Sequence, residues 1–209
     1  MSTVLILEQA LNGLQFGVML FMMSAGLTLV FGVMGLINLA HGSLYMIGAF
    51  AAAVVATWTG SFMLGLIASL AAAAAMGALI ELVVIRRLYD RDHLDQVLAT
   101  FALILILSEG TRYTFGSLPL YLNTPGWLSG VFDFGGGLVY PKYRLAIIFV
   151  GLIIAAGLFL LIAKPRLGIR IRAGESDREM IAALGVDISK LYTIVFALGA
   201  SLAGLAGAM

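Results

Sequence analysis

Residues 26–50 read GLTLVFGVMGLINLAHGSLYMIGAF. The stretch is apolar almost throughout, yet Gly32, Gly35 and Gly42 punctuate it, and Asn38, His41 and Ser43 place polar side chains inside it. After Ser43 the apolar run to Trp58 is about 15 residues, short of the ~20 that a helix needs to cross the hydrocarbon core. Two readings follow. Residues 38–43 form a turn between two spans, or they break a discontinuous helix at membrane depth. Broken backbone at depth is tolerated only where it is buried in protein or lines a watery cavity. Short, glycine-interrupted spans are the sequence mark of a transport pathway.

Working outward, composition supports a membrane protein. Hydrophobic residues make up 62% and charged residues 11% of the 209 positions, and the mean hydropathy is +1.08. A soluble domain carries roughly 25% charged residues, so this chain lacks the polar surface to cover a globule. The absence of cysteine excludes thiolate catalysis, disulfides and Cys-bound metal. The N-terminus has no basic region, and Glu8, Asn12 and Gln15 interrupt its apolar run, unlike a signal peptide. Six spans are expected: 11–33, an interrupted 34–58, 61–85, 96–115, 144–163, and a sixth from near Leu191, incomplete because the chain ends inside or at the end of a span. Continuous apolar runs favour helices over a barrel. The fold class is an all-α, polytopic membrane bundle.

Orientation follows from charge. Residues 86–95 and 164–190 hold Arg86, Arg87, Arg91, Lys164, Arg166, Arg170, Arg172, Arg178 and Lys190, nine of the twelve basic residues. Both loops fall on one side by parity, which places them in the cytoplasm and the N-terminus outside. Residues 116–143 are then external, and Trp127, Tyr121, Tyr140 and Tyr143 suit a membrane interface.

Within residues 174–186, GESDREMIAALGV reads as a short helix. Ser176 and Glu179 have capping-box spacing, Glu175, Asp177 and Glu179 favour its N-terminus, and Gly185 is a C-terminal stop. A helix this short needs something to dock on: its own membrane domain, the lipid interface, or a groove on a partner. In the spans, Glu109 and Arg112 sit at i, i+3, where they can pair on one helix face near the outer interface, and Glu81 near Arg86 reads as an anchor. Gly13 and Gly17 form GxxxG, and Ala200/Gly204 and Ala203/Gly207 repeat small-xxx-small spacing that permits close helix approach. The Ala run 71–75 can do likewise.

The run 26–50, and within it Gly26 to Gly42 ending Ile-Asn-Leu-Ala-His-Gly, resembles the first conserved block of the branched-chain amino acid ABC-transporter permeases of the LivH type. The resemblance runs across all 209 residues. It implies one permease membrane domain over 1–209, incomplete at its C-terminus, in the cell inner membrane. It implies import of branched-chain or related amino acids, with a urea- or amide-carrying member of the same family as the alternative. The partners it implies are a second permease subunit (identical or LivM-like), two ATP-binding cassette subunits at the cytoplasmic face and a periplasmic substrate-binding protein, all in a lipid bilayer and without nucleic acid. Residues 164–190 are similar to the EAA-type coupling loop that seats in the ATPase. Within it, Glu175, Ser176, Asp177, Arg178, Glu179, Ala182, Ala183 and Gly185 are the candidate coupling residues; Met180 and Ile181 depart from the strict EAA form. Asn38, His41, Gly42 and Ser43 are the candidate translocation-pathway residues.

Other classes have less support. No G-x-x-x-x-G-K-[ST] is present, so ATP is expected to bind another chain. A passive channel or secondary transporter needs more intramembrane polarity than Glu81, Glu109, Arg112 and His41 supply. A membrane enzyme lacks a paired nucleophile and base, since His41 and Ser43, two apart, do not face each other on a helix. No metal site and no cofactor are expected: His93 is the only other histidine.

Overall fold

Backbone groups in hydrocarbon find no water, so an apolar run must close its hydrogen bonds within itself as a helix. The computed structural model, which describes residues 3–89, 91–116, 120–163, 166–176 and 178–209, follows that rule. Helices α1 (Thr3–Met34), α2 (His41–Thr59), α3 (Phe62–Val83), α4 (His93–Phe115), α5 (Lys142–Ala163) and α8 (Ile188–Ala208) are each long and apolar enough to cross a membrane. Two short helices, α6 (Arg166–Ser176) and α7 (Arg178–Ala183), join α5 to α8. The expected six-span helical bundle is what the chain forms.

Several boundaries differ from expectation. α1 begins at Thr3 rather than near residue 11, so Glu8, Asn12 and Gln15 are helical. α8 begins at Ile188, slightly before the expected Leu191, and runs 21 residues to Ala208; Asp187 starts it, its carboxylate accepting from the Lys190 N–H at 3.0 Å. Helical residues begin before the expected 174–186, at Arg166. α6 covers Arg166–Ser176, and α7 covers Arg178–Ala183. Ser176 is helical and follows ten helical residues, so it does not cap the start of a helix; Asp177 lies outside the described residues. The segment after α4 contains a small antiparallel hairpin, β1 (Val131–Asp133) and β2 (Val139–Pro141), with Phe132 opposite Tyr140. Its turn is closed by Asp133, which accepts from the Gly135 N–H at 2.8 Å.

α8 is the most buried span and packs on α1, α2 and α3; α4 and α5 lie at the periphery and turn most of their apolar surface outward. Small residues put α8 at the centre. Lipid is as apolar as leucine, so helices associate through close packing and hydrogen bonds. Ser69, Ala73 and Gly77, one turn apart on α3, face Ala200 and Gly204. Ser69 Oγ donates to the Gly204 carbonyl at 2.6 Å. A Cβ at Gly199 would lie 2.7 Å from the Gly26 carbonyl oxygen of α1. Gly207 lies against the Tyr45 carbonyl of α2, so both small-residue pairs of the last span are used. Gly13 and Gly17 are not: both are exposed, and a Cβ at either meets nothing within 4 Å.

The two basic loops meet at one end of the bundle, as parity requires. Ile85 from the 3-10 turn Ile85–Leu88, Ile171 of α6, and Leu191 and Tyr192 of α8 share one buried cluster there. The hairpin marks the opposite end.

Candidate functional site

The break between α1 and α2 is placed by two local devices. Gly32 stays helical; Gly35 ends α1 with φ +65°, the left-handed region open to glycine. Three residues on, Asn38 Oδ1 accepts from the Ala40 N–H at 3.1 Å, a side-chain turn that starts α2 at His41. The chain does not simply pass to the next span at the level of Met34. His41 Nε2 donates to the Met23 carbonyl of α1 at 3.2 Å, and it would lie 3.1 Å from a Cβ at Gly26, which itself abuts Gly199. Gly26 is roughly two turns from the basic end of α1 and Gly199 three from that of α8, about 12 and 17 Å at ~1.5 Å per residue. Residues 35–40 therefore run back alongside α1, and α2 starts with its first side chain against the middle of α1 rather than level with the end of that helix.

Asn38 and His41 are each 3% exposed. A carbonyl can only accept, so the Met23 contact fixes the proton on His41 Nε2 and leaves Nδ1 of the neutral ring an acceptor. Neither His41 Nδ1 nor Asn38 Nδ2 has a hydrogen-bond partner among the described residues. Unpartnered buried polar atoms cost about 1–3 kcal/mol each, so the break holds one acceptor and one donor in reserve. Ser43 is buried in the first turn of α2, whereas Gly42 is exposed, and a Cβ there would meet only the Met23 side chain, at 3.9 Å.

At the basic end Glu81 is fully buried. The sequence pointed to Arg86 as its neighbour, and the pair forms, with Arg86 Nε and Nη2 donating to its two oxygens at 3.2 Å each. It did not point to Tyr89 and Thr193, which also donate to the carboxylate, Thr193 at 2.6 Å. Burial first, then the bond to Glu81, pushes the Tyr89 hydroxyl well above its ordinary range, so it remains a donor. The bond to Glu81 likewise raises Arg86. Gln96, another residue that sequence reasoning passed over, is buried and donates to the Leu88 and Arg91 carbonyls at 3.1 Å each, closing the α3–α4 loop.

The proposed coupling residues lie beside this cluster in the chain. Ser176, Ala182, Ala183 and Gly185 are exposed, as are the apolar Met180 and Leu184. Gly185 stops α7 as its pattern predicted, with φ +82° and its N–H on the Ala182 carbonyl at 3.0 Å. The side chains of Glu175, Arg178 and Glu179 are outside the described set. Ile171 is buried and ties α6 to the core, while the Arg172 guanidinium donates to the Ile162 carbonyl. Between α1, α5 and α6 runs a cleft of about 390 Å³ lined by Ser24, Thr28, Leu29, Val33, Ile171 and Arg172, within the ~300–1,000 Å³ of small-molecule pockets.

The remaining sequence candidates lie apart. Glu109 and Arg112 are on the exposed outer turns of α4. Trp127 and Tyr121 are exposed as an interfacial pair would be, but Tyr140 is buried, its hydroxyl donating to Asn12 Oδ1 at 3.1 Å, with Arg144 on the same oxygen at 2.6 Å. Asn12 thus fastens the hairpin to α1.

A six-span bundle whose second span starts inside the protein, on unpartnered polar groups, and whose basic end carries a helical arm is a multi-pass membrane protein built for transport. Comparison with known proteins gives the family. A profile described as "Branched-chain amino acid transport system / permease component" matches residues 9–209, and the chain belongs to that family. It is 30% identical to the high-affinity branched-chain amino acid transport system permease protein BraD of Pseudomonas aeruginosa over 97% of this chain and 70% of BraD. Identity to LivH of Salmonella typhimurium is 28% over the same shares. To the probable branched-chain amino acid transport permease protein LivH of Methanocaldococcus jannaschii it is 27%, over 91% of this chain and 62% of that one. No solved structure matches. The chain is a permease subunit of a transport system, not an enzyme.

Proposed function

We propose that the chain is the membrane permease of an ABC importer that takes branched-chain amino acids from a periplasmic binding protein across the inner membrane to the cytoplasm. Residues 1–209 form one permease domain, paired with an identical or LivM-like subunit and served by two ATP-binding cassette subunits at the basic, cytoplasmic end. The observation that supports the pathway assignment is that Asn38 Nδ2 and His41 Nδ1 are buried and unpartnered where α2 starts against the middle of α1, which we read as a break at membrane depth. Polar backbone and side chains at that depth are sustained where a polar solute or water passes. Asn38, His41, Gly42 and Ser43 line that pathway.

Residues 164–190 are the coupling segment, with Glu175, Ser176, Asp177, Arg178, Glu179, Ala182, Ala183 and Gly185 at the ATPase contact. Exposed Met180 and Leu184 supply the apolar anchors that a helix-in-groove contact uses. Closure of the ATPase pair moves this arm. α8 continues directly from it and reaches Gly26 and His41 through Gly199, so a rigid shift of α8 changes the packing around the break.

The test is reconstitution into proteoliposomes with ATPase subunits and a binding protein, using labelled leucine, isoleucine, valine, urea and short amides. ATP-dependent uptake of the branched-chain amino acids is expected. Gly185→Pro, which cannot adopt φ +82°, and Glu179→Lys should abolish uptake while the subunit still folds. Uptake of urea or amides alone would reassign the substrate. Labelling of residues 164–190 from outside intact cells would invert the topology and overturn the importer reading.

A further inference from the structure

Glu81 is the one charged side chain without exposed surface among the described residues. Three of its contacts are local: two from Arg86 and one from Tyr89, all following α3 in the chain. An anchor for the end of α3 would be complete with these. The fourth comes from 112 positions away, where Thr193 Oγ1 donates to Glu81 Oε2 at 2.6 Å and accepts from Arg86 Nη2 at 2.9 Å. Thr193 sits in the second turn of α8, just beyond Gly185 and the coupling arm.

Between these groups and Gly204 the α3–α8 contact is made mostly by small residues. Ser69, Ala73 and Gly77 meet Ala200 and Gly204, and the buried Phe196 ring packs over Gly77. Contacts among small residues resist separation more than sliding. Hydrogen bonds fix its register at two places, Ser69 to Gly204 and Thr193 to Glu81, roughly 17 Å apart along α8 at ~1.5 Å per residue.

We infer that Thr193 is a positioning residue: through Glu81 it locks α3 to α8, so that displacement of the coupling arm moves both helices together instead of letting α8 slip along α3. This rests on the coupling role of residues 164–190 proposed above.

Thr193→Val keeps the shape and removes the hydroxyl, and Arg86 and Tyr89 still satisfy Glu81. Thr193→Ser restores the hydroxyl. The experiment measures labelled amino acid translocated per ATP hydrolysed in proteoliposomes holding the complete transporter, together with thermal unfolding and co-purification of the ATPase subunits. Thr193→Val should assemble normally but lose about tenfold in transport per ATP, the size of effect a hydrogen bond to a charged group supplies. Thr193→Ser should return to within about twofold of the parent. Gly185→Pro is the control for the arm itself. If Gly185→Pro uncouples and Thr193→Val does not, the lock is refuted and the coupling arm stands. Unchanged coupling in both removes the arm as well. Loss in Thr193→Val that serine fails to rescue, or that tracks loss of assembly, also refutes the lock.

Discussion

Gly48→Ala and Gly17→Ala make the same chemical change in two membrane helices and should have effects of opposite sign. At Gly48, a Cβ would lie within 2.6 Å of the Cα, carbonyl carbon and oxygen of Gly204. Carbon atoms pack at about 3.5–4.0 Å, so α2 and α8 must separate by roughly 1 Å. All three atoms are backbone and cannot rotate aside. Overpacking of this kind costs about 1–3 kcal/mol, here at the upper end. The ~1 kcal/mol that alanine gains over glycine in a helix offsets part of it, leaving a net loss of about 2 kcal/mol. At Gly17 a Cβ meets nothing within 4 Å, so only the propensity gain remains, between zero and ~1 kcal/mol stabilising. The assay is equilibrium unfolding of the purified permease in mixed micelles, followed by tryptophan fluorescence. Equal stabilities for the two variants, or a less stable Gly17→Ala, would refute the argument that α8 is seated by glycine contacts with α2.

Two further predictions rest on single hydrogen bonds. Ser69→Ala removes the 2.6 Å bond to the Gly204 carbonyl and should cost about 1 kcal/mol in the same assay, in line with polar contacts between membrane helices; a larger loss than Gly48→Ala would contradict the packing account. Asp187 caps α8, and its bond from the Lys190 N–H holds its carboxyl below the ordinary range. A lowered folded-state pKa means the cap contributes above the ordinary carboxylate pKa of about 3.9 and is lost as pH falls through the folded value. Hydrogen exchange at the Lys190 amide should therefore accelerate, beyond the intrinsic trend, only at the acid end of a titration, and Asp187→Asn should abolish that step.

Much of the architecture was legible because it depends on short-range properties. An apolar run of span length must be a helix in lipid wherever it sits, and loop charges report their side by parity alone. Gly185 could be read as a stop because a glycine after an apolar turn has one common use there. Ser176 was misread as a helix start because S-x-x-E spacing occurs inside helices as well as before them; in the structure it is already part of α6, which begins at Arg166. The hairpin escaped notice because its strands are three residues each, too short for an alternation pattern.

What the sequence by itself determined is which segments are helical, how many can span, and that polarity interrupts the second of them. The tertiary structure alone decided the level of that interruption, because it is set by Gly26 and Gly199, about 170 positions apart. It alone decided that Gly48 and Gly204 are contacts while Gly13 and Gly17 are not, and that Thr193 completes the ring around Glu81. Helix formation satisfies each segment's own backbone, so local sequence suffices; the facing of one helix toward another depends on small residues and polar atoms meeting across the fold, and no single segment contains both halves of such a contact.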